Sequence, residues 1–251
     1  MKKFILACCL LSLFAVEGMA QSYAFGVKGG MTVGFQRWNN GERDPLIGYH
    51  GITFIETAPE GNEFALFAQL GYHLKGGAIR QRRFTFLSNQ TNSEVTVPAR
   101  TDRYEFHNLS LTLGGKQKYD FRTNTKVYYL IGIRGDYTFT TNLDEYEDLN
   151  NNLGSLFYPV NAFVREFNFG ATIGGGFEFL ITDLISGIVE ITVNPDFSRQ
   201  YMQPPLQNVI DPFNPGNSRT IPELNLSNNT LELTVGLRFL HEIEYIDTVF
   251  W

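Results

Sequence analysis

The sequence has almost no cysteine, no excess of basic residues and, after its first residues, no long apolar run. Its two cysteines, Cys8 and Cys9, lie near the start of the chain. The remainder can therefore form neither a disulfide nor a reactive thiolate. The formal net charge is −6, which argues against nucleic acid as a partner because binding phosphate requires a basic surface. No later segment approaches the roughly 18 uninterrupted apolar residues of a membrane-spanning helix.

The first residues have the composition of an export signal. Two lysines precede an apolar stretch over residues 4–15, and residues 18–20 (Gly-Met-Ala) supply small side chains for cleavage. This pattern predicts a secretory signal peptide over residues 1–20. Acylation of a cysteine, as in a lipoprotein, is disfavoured because almost no apolar stretch precedes Cys8.

Aromatic residues and glycine, by contrast, are abundant. The chain contains 22 Phe, 12 Tyr and 24 Gly, a combination typical of β-barrels and especially of barrels in membranes. Eight segments alternate with a period of two or are otherwise strand-like. They cover about residues 22–37, 46–57, 63–80, 104–118, 126–141, 166–181, 184–197 and 229–243. The sequence therefore predicts an all-β chain in which residues 21–251 form a single barrel.

The connections between these segments alternate in length. The second, fourth and sixth are short turns, whereas the third, fifth and seventh, at about residues 81–103, 142–165 and 198–228, are long and polar. Outer-membrane barrels have short periplasmic turns and long external loops. We therefore predict an eight-stranded antiparallel up-and-down transmembrane β-barrel in the bacterial outer membrane. In a soluble lipocalin-like barrel both ends face water, so short and long connections are not expected to alternate between the two ends.

The alternation within each strand indicates which face meets lipid. About thirty large side chains could not share the narrow interior of an eight-stranded barrel, so we predict that the apolar faces point outward. The small and charged faces then line the lumen, where an unpaired charge would be costly. We expect Lys28 to pair with Glu232 on the neighbouring eighth strand. The predicted lumen charge network comprises Lys28, Lys75, Lys116, Arg134, Arg238, Asp136, Glu178, Glu190 and Glu232.

Aromatic residues flanking the strands are predicted to form girdles at the two membrane interfaces. These residues are Tyr23, Phe35, Trp38, Tyr104, Tyr137, Phe139, Phe167, Phe179 and Phe239. At the top of the third strand, Arg80, Arg82 and Arg83 are expected to contact lipid-headgroup phosphates. The segment 46–57 departs from the pattern, because its apolar residues fall on both faces.

Several segments resemble a known family. HNLSLTLGGKQKYDF (107–121) resembles the fourth strand of the PorT-like outer-membrane β-barrel family of Bacteroidetes-type bacteria. The segments that resemble the later strands of that family are KVYYLIGIRGDYTF, EFNFGATIGGGFEF, GIVEITVNPDF and LELTVGLRFL. The resemblance covers nearly the whole chain beyond the signal peptide. It implies an eight-stranded outer-membrane barrel, and some relatives serve gliding or protein-secretion machinery.

The eighth strand also resembles the signal that the barrel-assembly machinery reads during insertion. Gly236 and Phe239 lie within this signal, and the chain continues to a terminal Trp251. We predict that residues 241–251 either prolong the eighth strand or, preferably, fold back against the periplasmic rim as a tail.

No catalytic or metal-binding constellation converges in the sequence. His107 and Ser110 are three residues apart on a strand, so they point to opposite faces and cannot form a nucleophile–base pair. His50 and His73 can both face the lumen, but no third metal ligand is suitably spaced. The acidic run at residues 144–148 suits a divalent cation, although a solvated loop is the favoured interpretation. We expect no cofactor.

These observations favour a small non-enzymatic outer-membrane barrel with a charge-plugged lumen. Its role would be structural or partner-binding, in the envelope or in secretion, through the external loops or the periplasmic tail. The expected partners are outer-membrane lipid and lipopolysaccharide, the barrel-assembly machinery during insertion, and a protein that the sequence does not identify. A narrow passive channel for a small solute is the alternative. A lipid-modifying enzyme is disfavoured because no catalytic groups converge.

Overall fold

The protein is dominated by long antiparallel strands. The computed structural model describes residues 22–58, 64–87, 94–153, 156, 158–210 and 216–242. Its strands are β1 Ser22–Trp38, β2 Gly41–Glu42, β3 Asp44–Thr57, β4 Phe64–Gln81, β5 Phe84–Leu87, β6 Glu94–Val97, β7 Arg100–Arg122, β8 Thr125–Thr141, β9 Phe167–Thr182, β10 Ile185–Pro195, β11 Tyr201–Gln203, β12 Leu206–Ile210, β13 Ser218–Ile221 and β14 Leu224–Glu242. An α-helix, α1 Leu143–Leu153, and a 3₁₀-helix, Asn161–Phe163, lie between β8 and β9.

Eight of these strands close into a barrel. The order around the ring is β1–β3–β4–β7–β8–β9–β10–β14, and β14 pairs with β1 to complete it. Each pairing is antiparallel, which confirms the predicted eight-stranded up-and-down barrel. The observed strands begin and end close to the predicted positions, except that β7 starts earlier and ends later than predicted, at Arg100 and Arg122, and β14 starts earlier, at Leu224. The external ends of these strands therefore extend beyond the membrane.

The outer surface of the barrel is apolar. Large side chains alternate outward along every barrel strand, and examples are Val27 (53% exposed), Ile133 (72%) and Phe169 (60%). A continuous belt of this kind would be strongly unfavourable in water and is the expected surface of a barrel in lipid. The intervening side chains are buried inside. No helix in the described ranges is long and apolar enough to cross a membrane.

Aromatic side chains form a band at each end of the apolar belt. In the external girdle the Tyr72 ring centroid lies 6.0 Å from His107 and 6.2 Å from Phe139. Tyr119 belongs to the periplasmic girdle, further along the same strand as His107. The two positions are separated by about 40 Å of strand, which a tilt of about 45° reduces to about 28 Å of height. That height matches a bilayer hydrocarbon core of about 30 Å.

Two aromatics assigned to the girdles from the sequence lie elsewhere. Trp38 and Tyr104 are 7% and 2% exposed and pack inside the external end of the barrel. The prediction placed them by their proximity to strand ends. Both occupy even positions, however, and even residues on β1 and β7 point inward.

The external connections are more structured than the predicted polar loops. The third contains the hairpin β5–β6, and the seventh contains β11 and the hairpin β12–β13. The fifth contains α1, so residues 144–148 are helical and not a loop, although Asp144, Glu145 and Asp148 are solvent-exposed as predicted. Leu143, Tyr146 and Leu149 recur every three residues and turn one helical face onto the barrel end, a period that the intervening acidic residues obscured.

Several predictions concern residues outside the described ranges. The signal peptide at residues 1–20 lies there, as does the chain after Glu242, where β14 ends. Trp251 and most of the predicted tail belong to that second segment.

Candidate functional site

The structure places all nine residues of the predicted lumen charge network inside the barrel. Each is 8% exposed or less. The same faces also bury the residues Glu56, Lys118 and Asp196, which the sequence analysis did not single out. Together these side chains make six cations and six carboxylates: Lys28, Lys75, Lys116, Lys118, Arg134 and Arg238, with Glu56, Asp136, Glu178, Glu190, Asp196 and Glu232. With neutral histidines, the formal charge of this set is zero.

In the periplasmic half of the lumen, four side chains form a closed circuit of alternating charge. Glu56 lies 2.7 Å from Lys118 and 2.6 Å from Arg238. Glu178 completes the circuit at 2.8 Å from Lys118 and 3.2 Å from Arg238. The four residues belong to β3, β7, β9 and β14, every second strand of the barrel. This periplasmic charge ring therefore spans the whole cross-section, and Lys116 adds a further bond to Glu56 at 2.6 Å.

A second closed circuit lies toward the external end. Lys75 donates hydrogen bonds to Asp136 at 2.6 Å and to Asp196 at 3.0 Å. Arg134 contacts the same two carboxylates at 3.1 and 2.5 Å. Lys75 on β4 and Asp196 after β10 come from opposite sides of the barrel. We call these four residues the external charge ring.

Between the two rings lies a third group of polar contacts. Lys28 donates a 2.5 Å hydrogen bond to Glu190, and Tyr128 donates one to the other oxygen of the same carboxylate at 2.9 Å. The ammonium group of Lys116 sits 4.6 Å from the centre of the Tyr128 ring, close enough for a favourable cation–π contact.

The predicted pairing of Lys28 with Glu232 is wrong. The register of β1 and β14 places Lys28 opposite Gly236, so Glu232 lies further up the barrel. Glu232 instead approaches His73, whose Nδ1 is 2.7 Å from its Oε1. Of the lumen carboxylates in the described residues, it alone has an ion-pair partner that is a histidine. The ring of His50 stacks on His73 with centroids 5.5 Å apart.

The three missed residues had weak signals in the sequence. Lys118 is two residues after Lys116 on the same strand, so both side chains point to the same face. That alternation is the only sequence signal that Lys118 faces the lumen. Glu56 lies on the segment whose apolar residues fall on both faces, which hid its orientation. Asp196 follows Pro195 at the end of β10, where the strand pattern breaks off. The backbone nevertheless continues between β9 and β14 and directs Asp196 inward.

A small cavity lies between the charge rings. It measures about 10 Å³, room for about one water molecule. Gln69, Arg134 and Glu190 are among its lining residues. Gln69 Nε2 and Arg134 Nη1 are buried and have no hydrogen-bond partner among the described residues. The cavity is far too small to form part of a path for an organic solute.

Aromatic and apolar side chains close the external end of the lumen. The external cap consists of Trp38, Tyr104, Phe106, Leu143, Tyr146, Tyr201 and Leu226. Tyr201 is completely buried, and its ring centroid lies 5.6 Å from that of Trp38. Its hydroxyl donates to Gln203 Oε1 at 3.1 Å and accepts from the Val160 amide at 3.1 Å. Burial raises the pKa of Tyr201 to about 12 and also raises the pKa values of Tyr104 and Tyr146.

The other residues singled out in the sequence are distributed as follows. Arg80 lies at the end of β4, and Arg82 and Arg83 follow that strand; all three are exposed. Gly236 lies beside Lys28, where a Cβ atom would collide with the lysine side chain, so the backbone approach requires glycine. Phe239 stacks on Phe25 in the periplasmic girdle at 5.6 Å.

The candidate catalytic and metal residues do not converge. Ser110 is buried and donates its hydroxyl hydrogen bond to Asp136, whereas His107 faces outward with its Nδ1 2.7 Å from the Tyr72 hydroxyl. Two acidic residues of α1 accept hydrogen bonds from Asn161: Asp144 from its side-chain amide and Glu147 from its backbone N–H at 2.5 Å. Within the part of the chain that the structure describes, no three His, Cys, Asp or Glu side chains are grouped to hold a metal ion.

Comparison with known proteins gives a family match and structural relatives of low identity. The outer membrane protein beta-barrel domain family matches residues 6–239. No curated protein matches the chain significantly. The outer membrane protein OprG from Pseudomonas aeruginosa superimposes with a TM-score of 0.50 at 7% identity, covering 89% of this chain and 97% of OprG. This similarity shows the fold alone.

Two further barrels align over most of their length. Ail, the attachment invasion locus protein of Yersinia pestis, was solved with the heparin analogue sucrose octasulfate and gives a TM-score of 0.41 at 10% identity, covering 86% of this chain and 99% of Ail. The outer membrane protease OmpT from Escherichia coli gives 0.43 at 9% identity, covering 88% and 97%. Both scores are too low to carry an argument about this chain.

Proposed function

Because the chain belongs to the outer membrane protein β-barrel domain family, we propose that it is a sealed, non-enzymatic barrel of the bacterial outer membrane that binds a partner outside the lumen. The observation that carries this proposal is the pair of closed charge rings. Each ring joins strands around or across the barrel through direct ion pairs. A solute would have to break both rings to pass.

The energetic cost of opening the rings supports a seal. Separating one buried ion pair leaves two desolvated charges, and losing one partner of such a pair typically costs about 3–5 kcal/mol. Glu56 alone accepts ion pairs from Lys116, Lys118 and Arg238. The external cap adds a second, apolar barrier at the outer mouth. In a passive channel, the ion pairs of both rings and the contacts of the external cap would have to break and re-form each time a molecule passed.

The external surface is the better candidate for recognition. It carries α1 and the hairpins β5–β6 and β12–β13, all beyond the membrane belt. Connections presented on a barrel rim suit binding, because recognition residues usually lie on connections held by a stable scaffold. The resemblance to the PorT-like family supports a partner in a secretion or envelope assembly.

We expect the lumen to be inaccessible to small water-soluble reagents. Residues 8 and 9 are the sole cysteines of the sequence, so Thr192→Cys would introduce a unique thiol into a chain that has lost its signal peptide. Thr192 is buried and lines the cavity between the rings. In lipid nanodiscs, a small charged thiosulfonate should leave this thiol unmodified for hours, as measured by mass spectrometry.

The matched control is Thr85→Cys, on the exposed face of the external hairpin β5–β6, which should react within minutes. Planar-bilayer recordings of the unaltered protein should show no steady single-channel steps. Rapid modification of Thr192→Cys together with reproducible steps would instead establish the passive channel.

We expect binding of the partner to require the external hairpin β12–β13. Replacing residues 206–221 by a short Gly-Ser linker should abolish in vivo crosslinking to the native partner in outer membranes. Inserting the same linker at the periplasmic turn between β7 and β8 should leave crosslinking intact. Equal crosslinks in both variants would exclude the hairpin β12–β13 as the binding surface.

A further inference from the structure

Two exposed arginines lie side by side on the outward face of the β4–β7 pair. The register places Arg80 opposite Thr101 and Ala78 opposite Arg103. Arg80 and Arg103 therefore occupy diagonal positions on one face, where Cβ atoms are about 7–8 Å apart or slightly closer. Both are exposed. The Asp44 carboxylate lies beside the pair, because its Oδ2 accepts a hydrogen bond from the Arg80 backbone N–H at 3.1 Å. The recorded side-chain contact of Arg80 is a 3.3 Å hydrogen bond to the Pro45 carbonyl.

Arg103 lies just above the expected height of the lipid headgroups, and Arg80 lies higher on the neighbouring strand. Arg103 follows the same outward face of β7 as His107 in the external girdle. The four-residue step between them is about 13 Å of strand, or about 9 Å of height at a 45° tilt. Arg80 is opposite Thr101, six residues from His107, so its backbone lies about 14 Å above His107 by the same calculation. The headgroup layer extends about 5–8 Å beyond the hydrocarbon core. Arginine side chains are long enough to lean back into that layer.

The choice of cation also fits a phosphate ligand. Beyond Lys2 and Lys3, the lysines of the chain are Lys28, Lys75, Lys116, Lys118 and Lys126. The first four are buried in the lumen, and the last pairs with Asp120 near a periplasmic turn. Every Lys or Arg side chain exposed at the external end of the barrel is therefore an arginine. Arginine binds phosphate oxygens through two parallel N–H bonds, which the point charge of lysine does not do.

From this geometry we propose that Arg80 and Arg103 form a phosphate-binding site for a phosphorylated glycolipid of the outer leaflet. To hold one phosphate together with Arg103, the Arg80 guanidinium would exchange its bond to the Pro45 carbonyl, on the β3 side of β4, for a bond to the phosphate. The acyl chains of the same lipid would then descend along the apolar belt, past Tyr72 and His107. Glu105 shares this face between Arg103 and His107, so its carboxylate would oppose the phosphate and weaken binding. This site goes beyond the proposed function, because it concerns the lipid rather than the partner.

The test is lipid binding by the protein reconstituted in phosphatidylcholine nanodiscs. We expect Arg80→Ala combined with Arg103→Ala to reduce the affinity for bisphosphorylated lipid A by about tenfold or more, as measured by native mass spectrometry. The double Lys variant should restore the affinity only partly, because bidentate bonding is lost. Glu105→Gln should increase it. Arg122→Ala removes an exposed arginine at the periplasmic end of the same strand and should have no effect.

Two further binding measurements identify the ligand. Lipid A stripped of its phosphates should bind the unaltered protein no better than it binds the double Ala variant. Inorganic phosphate alone should compete only at concentrations well above that of the lipid. Equal binding of the dephosphorylated lipid, or an unchanged affinity in a double Ala variant that retains the migration of the folded barrel on unheated gels, would overturn the proposal. Tight binding of inorganic phosphate without lipid would overturn the glycolipid assignment.

Discussion

Replacing Lys75 by methionine is expected to lower the free energy of unfolding by about 3–5 kcal/mol. Lys75 is 1% exposed and donates hydrogen bonds to both Asp136 and Asp196. Its loss leaves two buried carboxylates with one shared cation, Arg134. Methionine keeps the length of the side chain and adds no cavity. The expected loss therefore reports the uncompensated charge rather than the packing.

The measurement is reversible urea unfolding in lipid vesicles, followed by gel migration and tryptophan fluorescence. The control is Lys126→Met, which removes an exposed lysine 3.5 Å from Asp120 and should cost less than about 1 kcal/mol. Adding Asp136→Asn to Lys75→Met should recover part of the loss, because one cation then faces one carboxylate. A loss below about 1 kcal/mol for Lys75→Met would show that water or ions reach the external charge ring.

Replacing Tyr201 by alanine should remove about 3–5 kcal/mol of stabilisation from the external cap. The ring is completely buried against Trp38 and Phe163, so the substitution creates a cavity. It also leaves the Val160 amide without its acceptor. The loss should be local, because the ion-paired lumen below does not depend on Tyr201. Hydrogen exchange should therefore accelerate in residues 158–164 and in α1, but not in the barrel strands that span the membrane.

Tyr201→Phe separates packing from hydrogen bonding and should cost only about 1–2 kcal/mol. Faster exchange throughout the barrel in Tyr201→Ala would contradict a local role for the cap. An exchange pattern unchanged from that of the unaltered protein would show that the ring is not part of the packing.

The same tyrosine makes the cap sensitive to alkaline pH. Its pKa is raised to about 12 by burial, whereas an unfolded tyrosine titrates near pH 10. The neutral form therefore stabilises the cap fully below about pH 10, and this contribution decreases as the pH rises toward 12. Tyr201→Phe lacks the ionisable group, so the difference between the two proteins should shrink in alkaline solution.

The fold was largely predictable because two simple periodicities determine it. The alternation in each strand separates lipid-facing from lumen-facing side chains, and the alternation of short and long connections sets the topology. The family match and the observed ring of strands confirm this part of the prediction. The helix α1 was not predicted because its apolar face consists of only three residues. Asp144, Glu145 and Glu147 lie between them in the sequence and hide the helical period.

The sequence by itself determined most of the charged side chains that enter the lumen, since parity along a strand is a local property. It missed Glu56 and Asp196, where the alternation is obscured or ends. Lys28 and Glu190 are buried because of their positions on β1 and β10. The tertiary structure alone decided which of them meet. Strand tilt and register join residues more than one hundred positions apart, as in the pair Lys28–Glu190, and no local pattern encodes such offsets. The closed charge rings, which join strands on opposite sides of the lumen, exist only once the barrel has closed.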